Sequence, residues 1–438
     1  MAKSDVIIMT TMPISPSGRS RLRAVLGGSA GNLVEWFDWY TYSAAALYFA
    51  PIFFPKGDQT AQLLEAAGIF AAGFFARPLG AWLMGLYADR VGRRSALTLS
   101  VTLMCCGSLV IAATPGAAKI GVAAPVILLL ARIFQGLSLG GEYGASATYM
   151  SEMAGRRHRG FWSSFQYVTL IGGQLVALAV LIVLQHMLTR ASMAAWGWRI
   201  PFVIGAMLAI VAYWLRLRIP ESQSFVRAAG DPARRGLRRV WLDHPREAWT
   251  VFGFTAGGSM LFYVYTTYMQ KFLTNTGAFS RDQATEMSAV SLIAFMAMQP
   301  LCGWLSDRVG RRPMMLTAFG GAVLVTWPVL SGIAGTRSSG VALSLILGAM
   351  VLQACYTSIS SVVKAELFPA EIRALGVAVP YALANAAFGG TTEYVALWFK
   401  KAGYESGFYV YASALAAISL AAALAMKETS THSRIVED

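Results

Sequence analysis

The chain has 438 residues, of which 56% are hydrophobic and only 13% are charged. Ordinary soluble domains carry roughly 25% charged residues, so this composition excludes a water-soluble globular protein and a disordered one. The formal net charge of +14 is the kind of excess that also occurs in nucleic-acid-binding proteins, so the placement of the basic residues has to decide its meaning.

Twelve apolar segments are long enough to cross a bilayer, which takes about 20 residues. Helices that are apolar on every side belong in lipid or in a very large core. The first segment is not a cleavable signal peptide, because it is too long and contains Glu35 and Asp38. The predicted spans are 25–54, 64–86, 95–113, 125–150, 160–187, 198–216, 248–272, 285–305, 314–334, 340–362, 375–399 and 406–426.

Most of the 36 lysines and arginines fall in alternate connections between these spans. The segment before the first span and the stretch from Arg216 to Arg246 are especially basic. An excess of lysine and arginine marks the cytoplasmic side of a membrane protein. We therefore expect both termini to be cytoplasmic, and we interpret the basic excess as membrane topology rather than as a nucleic-acid-binding surface.

A ten-residue motif occurs twice, at 85–94 (GLYADRVGRR) and at 303–312 (GWLSDRVGRR). The copies are separated by about half the chain length, which indicates duplication of a whole bundle rather than a short solenoid repeat. We predict an all-α membrane protein of twelve transmembrane helices in two pseudo-symmetric six-helix bundles, with substrate held between them near the midplane. The predicted segments are a cytoplasmic N-terminal segment 1–24, bundles 25–216 and 248–426, a cytoplasmic linker 217–247 and a short cytoplasmic tail 427–438.

Ionisable residues within the spans are functional candidates, because a charge in the bilayer is energetically costly. Arg77 precedes Asp89 by twelve residues, which places it about 18 Å into the membrane at ~1.5 Å per residue. Its guanidinium fork suits a carboxylate substrate; the alternative is that Arg77 only balances Glu35 or Asp38. The equivalent position in the second copy is Phe295, which favours a task specific to the first half.

Acids near these arginines are candidates for proton coupling, since a buried arginine can lower the pKa of an acid until a substrate anion arrives. Asp38 and Glu35 are the leading candidates, with Arg132 as their partner and Glu142 as a third acid. For Glu142 a hydrogen bond between packed helices is an equal alternative. Lys271 and Glu393 lie nearer the outer ends of their spans, where we expect them to extend to the membrane surface.

Polar side chains in the later spans are candidates to line a central cavity. The run from Phe262 to Gln270 is too polar to face lipid. Each of these residues taken singly fits a packing role better than ligand contact, whereas the run as a whole favours function. The substrate-binding candidates besides Arg77 are Gln174, Tyr263, Tyr268 and Asn385.

The doubled motif resembles the loop signature of the major facilitator superfamily, and the run at 132–136 (RIFQG) resembles its fourth-span motif. The runs at 31–38, 140–144, 196–202 and 366–373 resemble the metabolite:proton symporter branch. Trp39 and the bulky run 39–42 depart from that pattern. The resemblance implies an inner-membrane proton symporter that takes up a dicarboxylate such as α-ketoglutarate by alternating access. It also implies a cytoplasmic gate formed by Asp89, Arg90, Arg93, Asp307 and Arg311.

Alternative functions are a proline or betaine symporter, a citrate symporter and, from another class, a membrane sensor that binds a metabolite without transporting it. A zwitterion needs no midplane arginine fork, a tricarboxylate should need more cations, and no signalling domain follows the last span. We expect no enzyme activity, because the four histidines are scattered. We also expect no cofactor, metal or nucleic-acid partner, with protons as the coupling ion and a monomer in the lipid bilayer.

Overall fold

A computed structural model describes residues 18–91, 93–139, 151, 155–216, 237–370 and 372–435. Long helices dominate these ranges. In the first half they are α1 (Gly18–Phe53), α2 (Gln59–Val91), α3 (Arg93–Ala113), α4 (Ala123–Leu139), α5 (Arg159–Met187) and α6 (Ile200–Arg216). In the second half they are α7 (Pro245–Tyr263, Val264–Tyr268 and Met269–Asn275), α8 (Arg281–Val309), α9 (Arg311–Gly335), α10 (Ser339–Leu367), α11 (Arg373–Ala384, Asn385–Gly389 and Thr392–Lys401) and α12 (Glu405–Ala425).

Each predicted span overlaps one of these helices in chain order. Within the described ranges, six helices are long and apolar enough to cross a membrane on length and composition, and three shorter ones are also apolar. The second part of the predicted fourth span, 140–150, lies outside the described residues. The predicted linker is described only from residue 237, where a short helix (Leu237–Asp243) leads into α7; the segment boundaries stay a prediction.

The helices pack as two groups that meet along two seams. In the first group α1 packs on α5 and α6, and α2 packs on α3 and α4. In the second, α7 packs on α11 and α12, and α10 packs on α8 and α9. The groups meet where α5 contacts α8 and α10, and where α2 contacts α11. The α5–α8 and α2–α11 seams are equivalent under the duplication, since α8 repeats α2 and α11 repeats α5.

Small residues let the helices approach closely, as is usual in membrane bundles. A Cβ atom on Gly173 of α5 would lie 2.3 Å from the carbonyl oxygen of Leu33 in α1. At the N-terminus of α8, Ser280 and Gln283 form a capping box, each side chain bonding the backbone N–H of the other at 3.1 Å. This cap satisfies N–H groups that the first turn leaves without helical partners.

Two helices of the second half contain a π-helical turn, Val264–Tyr268 in α7 and Asn385–Gly389 in α11. Such turns insert one extra residue into the helix and occur frequently at functional sites. Both turns adjoin residues that the sequence analysis selected, Tyr263 and Asn385. They therefore direct attention to the surface where α7 and α11 face the first half.

Candidate functional site

Arg77 lies near the middle of α2 and is buried, with 9% of its surface exposed. Its guanidinium carbon lies 4.1 Å from the ring centre of Trp39 and 4.5 Å from that of Phe74. Arg132 of α4 lies 3.9 Å from the same Trp39 ring. Trp39, which departs from the branch pattern, is therefore in cation–π contact with both buried arginines, an interaction worth about 2 kcal/mol when desolvated.

The two acids of α1 have different partners. Glu35 forms an ion pair with Arg77 at 3.9 Å. Asp38 accepts a hydrogen bond at Oδ2 from Gln135 at 2.8 Å, and at Oδ1 from the hydroxyl of Ser108. The predicted link between Asp38 and Arg132 runs through Gln135, whose Oε1 accepts from Arg132 at 2.9 Å. Sequence reasoning missed Ser108, because a serine within an apolar helix carries no distinctive signal.

The second half reaches this cluster through Tyr263 of α7. Its ring stacks on Trp36 with centres 6.2 Å apart and meets Phe74 edge-on at 5.4 Å. A Cβ atom on Gly389 would lie 2.5 Å from Oδ1 of Asn385 and 2.8 Å from the Tyr263 ring. The structure therefore brings Tyr263 and Asn385 together, on the side of the second half that faces Arg77.

Several buried polar atoms in this region have no hydrogen-bond partner among the described residues. They include Nε and Nη2 of Arg77 and both side-chain polar atoms of Gln174. Gln174 follows Gly173, which packs on the backbone of α1 next to Glu35. Leaving a buried donor unsatisfied costs about 1–3 kcal/mol, so these atoms are suited to receive a polar ligand.

Two other predicted site residues are not brought to the cluster. Tyr268 packs against Phe272 and Phe408, with ring centres 5.9 Å apart in both pairs, and thus faces α12 within the second half. Glu142 lies outside the described residues. The substrate-binding role predicted for Tyr268 and the coupling role predicted for Glu142 both stay predictions.

The expectation that Lys271 and Glu393 extend to the membrane surface is wrong. Only 2% of Lys271 and 1% of Glu393 is exposed. The ammonium of Lys271 donates to Glu393 at 2.5 Å and to the hydroxyl of Ser43 at 2.7 Å, and that hydroxyl donates to the other oxygen of Glu393. The positions of Lys271 and Glu393 near the ends of their spans predicted exposed side chains. In the structure α1 packs over α7 and α11 and covers both charges. We call these three residues the outer triad.

The N-terminus of α5 and the C-terminus of α8, at the end of the molecule predicted to be cytoplasmic, are joined through the second copy of the repeated motif. Asp307 accepts hydrogen bonds from the backbone N–H groups of Gly160 at 2.8 Å and Phe161 at 2.9 Å. It also pairs with Arg311 at 2.9 Å. A carboxylate at a helix N-terminus is stabilised by free N–H groups and by the helix dipole. Asp307 therefore binds the first turn of α5 across the boundary between the halves.

The glycines of the same motif have identifiable steric roles. A Cβ atom on Gly303 would lie 2.6 Å from the carbonyl oxygen of Gly160, so only glycine allows α5 and α8 to cross so closely. Gly310 has φ +96°, a left-handed conformation, and Glu428 of the tail packs against it. Glu428 accepts from the backbone N–H groups of Arg311 and Arg312, both at 2.9 Å.

Glu366 of α10 adds a second charged connection between the halves at this end. Its carboxylate lies 3.8 Å from Arg159 of α5 and 3.8 Å from Arg311. It also accepts from the hydroxyl of Thr429 at 2.6 Å. We call Asp307, Arg311, Glu366 and Arg159 the inner cluster. The side chains of the first-copy candidates Asp89, Arg90 and Arg93 lie outside the described part of the chain, and the gating role of all five predicted residues stays a prediction.

Comparison with known proteins settles the family. Residues 24–249 match the family described as Sugar (and other) transporter, and residues 270–437 match the Major Facilitator Superfamily. The chain is 51% identical to the alpha-ketoglutarate permease of Escherichia coli strain K12 over 97% of this chain and 98% of the relative. This chain belongs to the major facilitator superfamily. It falls in the metabolite:proton symporter branch, and its relatives are transporters.

This major facilitator is also similar to less closely related transporters. It is 30% identical to the citrate-proton symporter of Klebsiella pneumoniae, over 90% of this chain and 89% of that protein. Its fold matches the partially occluded inward open structure of the xylose transporter XylE from E. coli, with a TM-score of 0.73 at 20% identity, covering 92% of this chain and 96% of that one. The predicted fold class, two six-helix bundles of the major facilitator type, is confirmed.

Proposed function

We propose that this protein is a proton-coupled symporter that imports α-ketoglutarate or a related dicarboxylate by alternating access. The observation that carries the proposal is the buried guanidinium of Arg77, whose Nε and Nη2 have no hydrogen-bond partner among the described residues and which packs on Phe74, the ring that Tyr263 of the second half contacts. The 51% identity to the alpha-ketoglutarate permease, over nearly the whole length of both chains, supports the substrate.

Arg77 supplies the substrate contact in this proposal. Glu35 lies 3.9 Å away, a separation too long for a hydrogen bond, so the guanidinium keeps donor capacity for an incoming carboxylate. A bidentate pair between arginine and carboxylate also fixes the orientation of the substrate. Tyr263 and Asn385 then contribute polar groups from the second half, so one ligand contacts both halves.

Proton coupling is required by the charge of the substrate. Moving one negative charge into a cell against 100 mV costs about 2.3 kcal/mol, and a dianion costs about 4.6. Asp38 is suited to carry a proton, because it is buried and accepts hydrogen bonds from the neutral side chains of Ser108 and Gln135. Arg132 is linked to it by Gln135, so a change in charge near Arg132 is transmitted to Asp38 by one hydrogen-bonded side chain.

The proposal places the protein in the bacterial cytoplasmic membrane, as a monomer with both termini in the cytoplasm. The basic residues of the predicted inner loops support this orientation. The Asp307 and Glu366 contacts then close the cytoplasmic side, and the outer triad lies toward the outside. The transport cycle needs protons as the coupling ion and, in this proposal, no cofactor and no enzymatic step.

Uptake of labelled α-ketoglutarate into proteoliposomes with an imposed pH gradient tests the proposal. We expect accumulation that a protonophore abolishes. Unlabelled citrate, proline and betaine serve as competitors, and stronger competition by any of them than by α-ketoglutarate would reassign the substrate. Binding without flux would identify a sensor, and accumulation that ignores the protonophore would contradict symport.

The Arg77→Ala variant tests the binding site. A hydrogen bond to a charged group contributes about 1.5–3 kcal/mol, so affinity should fall roughly 10- to 100-fold. Arg190→Ala is the matched control, because that guanidinium is 93% exposed and 3.9 Å from Asp282 at the surface. Unchanged affinity in Arg77→Ala would assign Arg77 to a structural pair with Glu35.

A further inference from the structure

The outer triad has the composition of a second substrate-anchoring site with its own proton carrier. We propose that Lys271 binds the second carboxylate of the dicarboxylate and that Glu393, displaced from Lys271, takes up a proton as it does so. The inference rests on the proposed dicarboxylate transport, and it assigns a function to two residues that the argument from Arg77 and Asp38 leaves unused.

The position of the triad in the fold is the first support. Lys271 and Glu393 belong to α7 and α11 of the second half, while Ser43 belongs to α1 of the first. A Cβ atom on Gly390 would lie 2.3 Å from Phe74, the ring that contacts Arg77, and Glu393 is only one helical turn further along α11. The triad therefore lies directly outward of the arginine cluster, where the two halves meet.

The spacing between the two cations is the second support. Ser43, bound to Lys271, is eight residues beyond Glu35, bound to Arg77; this is ~12 Å along α1. An extended five-carbon dicarboxylate measures roughly 7 Å between its outermost oxygens from standard bond lengths. Charge-assisted hydrogen bonds add about 2.8 Å at each end. One molecule of this length can therefore bridge Arg77 and Lys271.

The charge balance of the exchange is the third support. Before binding, Lys271 and Glu393 form a neutral pair. When a substrate carboxylate replaces Glu393 on the ammonium, a second negative charge remains in a buried site, and burying an unpaired charge is strongly unfavourable. Transfer of one proton from the outer solution to a carboxylate oxygen of Glu393 restores neutrality. One proton thus enters with one carboxylate, and no other bond is made or broken.

The surroundings of Glu393 favour this role. In the described structure the charged group in contact with it is Lys271. The hydroxyl of Ser43 is its neutral donor from α1. Three tyrosines lie within electrostatic range, Tyr40 and Tyr42 of α1 and Tyr268 of α7. Phenols are neutral at physiological pH, so Lys271 is the charged partner that a substrate carboxylate would have to displace from Glu393.

Calorimetric titration of the purified protein with α-ketoglutarate measures the exchange directly. Repeating the titration in buffers of different ionisation enthalpy gives the number of protons taken up on binding. In the wild type we expect net uptake and an affinity that weakens as pH rises, because ionised Glu393 competes for Lys271. In Glu393→Gln the uptake should fall by about one proton and the affinity should lose the corresponding pH dependence.

The Lys271→Met variant tests the second anchor. Affinity for α-ketoglutarate should fall roughly 10- to 100-fold, while affinity for 2-oxopentanoate, which lacks the distal carboxylate, should stay near its wild-type value. The double variant Lys271→Met with Glu393→Gln removes both charges together and thus avoids a lone buried charge. It provides the same readouts if a single variant does not fold.

A closely matched control exists at the outer end of the second half. Lys400 lies 3.2 Å from Glu405 and donates to the hydroxyl of Thr276 at 2.7 Å, and that hydroxyl also bonds Glu405. This lysine, glutamate and hydroxyl set lies entirely within one half. Lys400→Met and Glu405→Gln should leave proton uptake and the preference for a dicarboxylate unchanged.

The outcomes separate the two proposals. A wild-type protein that binds no α-ketoglutarate would contradict the proposed function, and the inference would fall with it. A wild type that binds and transports the dicarboxylate, together with unchanged proton uptake in Glu393→Gln, would overturn the role of Glu393 alone. Unchanged dicarboxylate preference in Lys271→Met or in the double variant would overturn the second anchor.

Discussion

The two halves are held together differently at their two ends. At the end predicted to be cytoplasmic, the inner cluster joins Asp307 to the backbone N–H groups that begin α5 and places Glu366 between two arginines. At the opposite end, the connections include the hydroxyl of Ser43 on a buried ion pair and a hydrogen bond of 3.2 Å from Gln185 of α5 to Thr285 of α8.

This difference assigns different tasks to the two ends. The inner contacts use a helix terminus and several buried charges, and Arg77 and Arg132 take no part in them. The outer contacts include an ion pair that a charged ligand can exchange. Closure of the outer end should therefore respond directly to substrate and protons, whereas the inner end should respond only through movement of the helices.

Removing Asp307 should have the largest effect on the balance between the conformational states of the transporter. Asp307→Ala deletes two charge-assisted hydrogen bonds to α5 and should disfavour the state closed at the cytoplasmic end by about 3 kcal/mol, roughly a hundredfold. Spin labels at the exposed positions 157 and 308, in a background without native cysteines, report the separation of the halves. An unchanged distance distribution would contradict a closing role for Asp307.

Widening the helix crossing should have the next largest effect. Gly303→Leu places a side chain where the carbonyl oxygen of Gly160 lies 2.6 Å from the Cβ position, and overpacking of this kind costs about 1–3 kcal/mol. The same labels should show α5 and α8 further apart. Gly348→Leu is the control, because nothing lies within 4 Å of its Cβ position; an equal shift in the control would refute the steric argument.

Breaking the Gln185–Thr285 contact should shift the equilibrium between the inward-open and outward-open states toward the outward-open state. Gln185→Leu removes the hydrogen bond to Thr285 and should favour opening to the outside by about 1 kcal/mol. Labels at the exposed positions 187 and 280 measure this opening. Ser344→Ala, whose hydroxyl bonds only within its own helix in the contacts described, should leave the distance unchanged. A shift toward cytoplasmic opening in Gln185→Leu would contradict the assignment of the two ends.

The smallest effect concerns the tail. Partial burial alone would raise the pKa of Glu428, but hydrogen bonds from the Arg311 backbone, from the hydroxyl and backbone of Ser430 and from the Arg312 backbone outweigh it and lower that pKa. Its stabilising contribution is therefore present above the usual glutamate pKa and is lost as pH falls through the lowered value.

Hydrogen exchange measures this contribution. At neutral pH, Glu428→Gln should reduce the protection of the Arg311 and Arg312 amides relative to the wild type, and the difference should disappear in acid. Transport should change little, because the contacts described for Glu428 do not include Arg77, Arg132 or the outer triad. A difference between the two proteins that persists below the lowered pKa would show that Glu428 acts through its shape and not through its charge.

The sequence predicted the helices well, and the reason is local. A run of about 20 apolar residues must be helical in lipid, because every backbone polar group has to be satisfied within its own segment. The doubled motif predicted two bundles for a similar reason, since a repeated sequence repeats its local fold. Arg77, Glu35 and Tyr263, which were chosen from the sequence as site candidates, lie close together in the structure, because polar groups at mid-span avoid lipid by facing the interface between the halves; their roles stay predictions.

The errors arise where a side chain depends on a distant helix. Lys271 and Glu393 were assigned to the membrane surface from their position along the chain, yet α1 covers them and Ser43 bonds both. Tyr268 was selected together with Tyr263, and the two residues, five positions apart within and beside a π-helical turn, face different neighbours; the binding role of Tyr268 stays a prediction. Sequence distance carries no information about such partners.

By itself the sequence determined the number of spans, the two-bundle architecture, the family and the asymmetry between Arg77 in the first half and Phe295 at the equivalent position of the second. These follow from hydrophobicity and repetition, which act over short stretches of chain. The tertiary structure alone decided that Trp39 contacts both arginines, that Asp38 is linked to Arg132 through Gln135, and that Lys271 and Glu393 form a buried pair in contact with the opposite half. Those pairings depend on which helices touch, and in lipid that choice is made by packing and interhelical hydrogen bonds rather than by hydrophobicity.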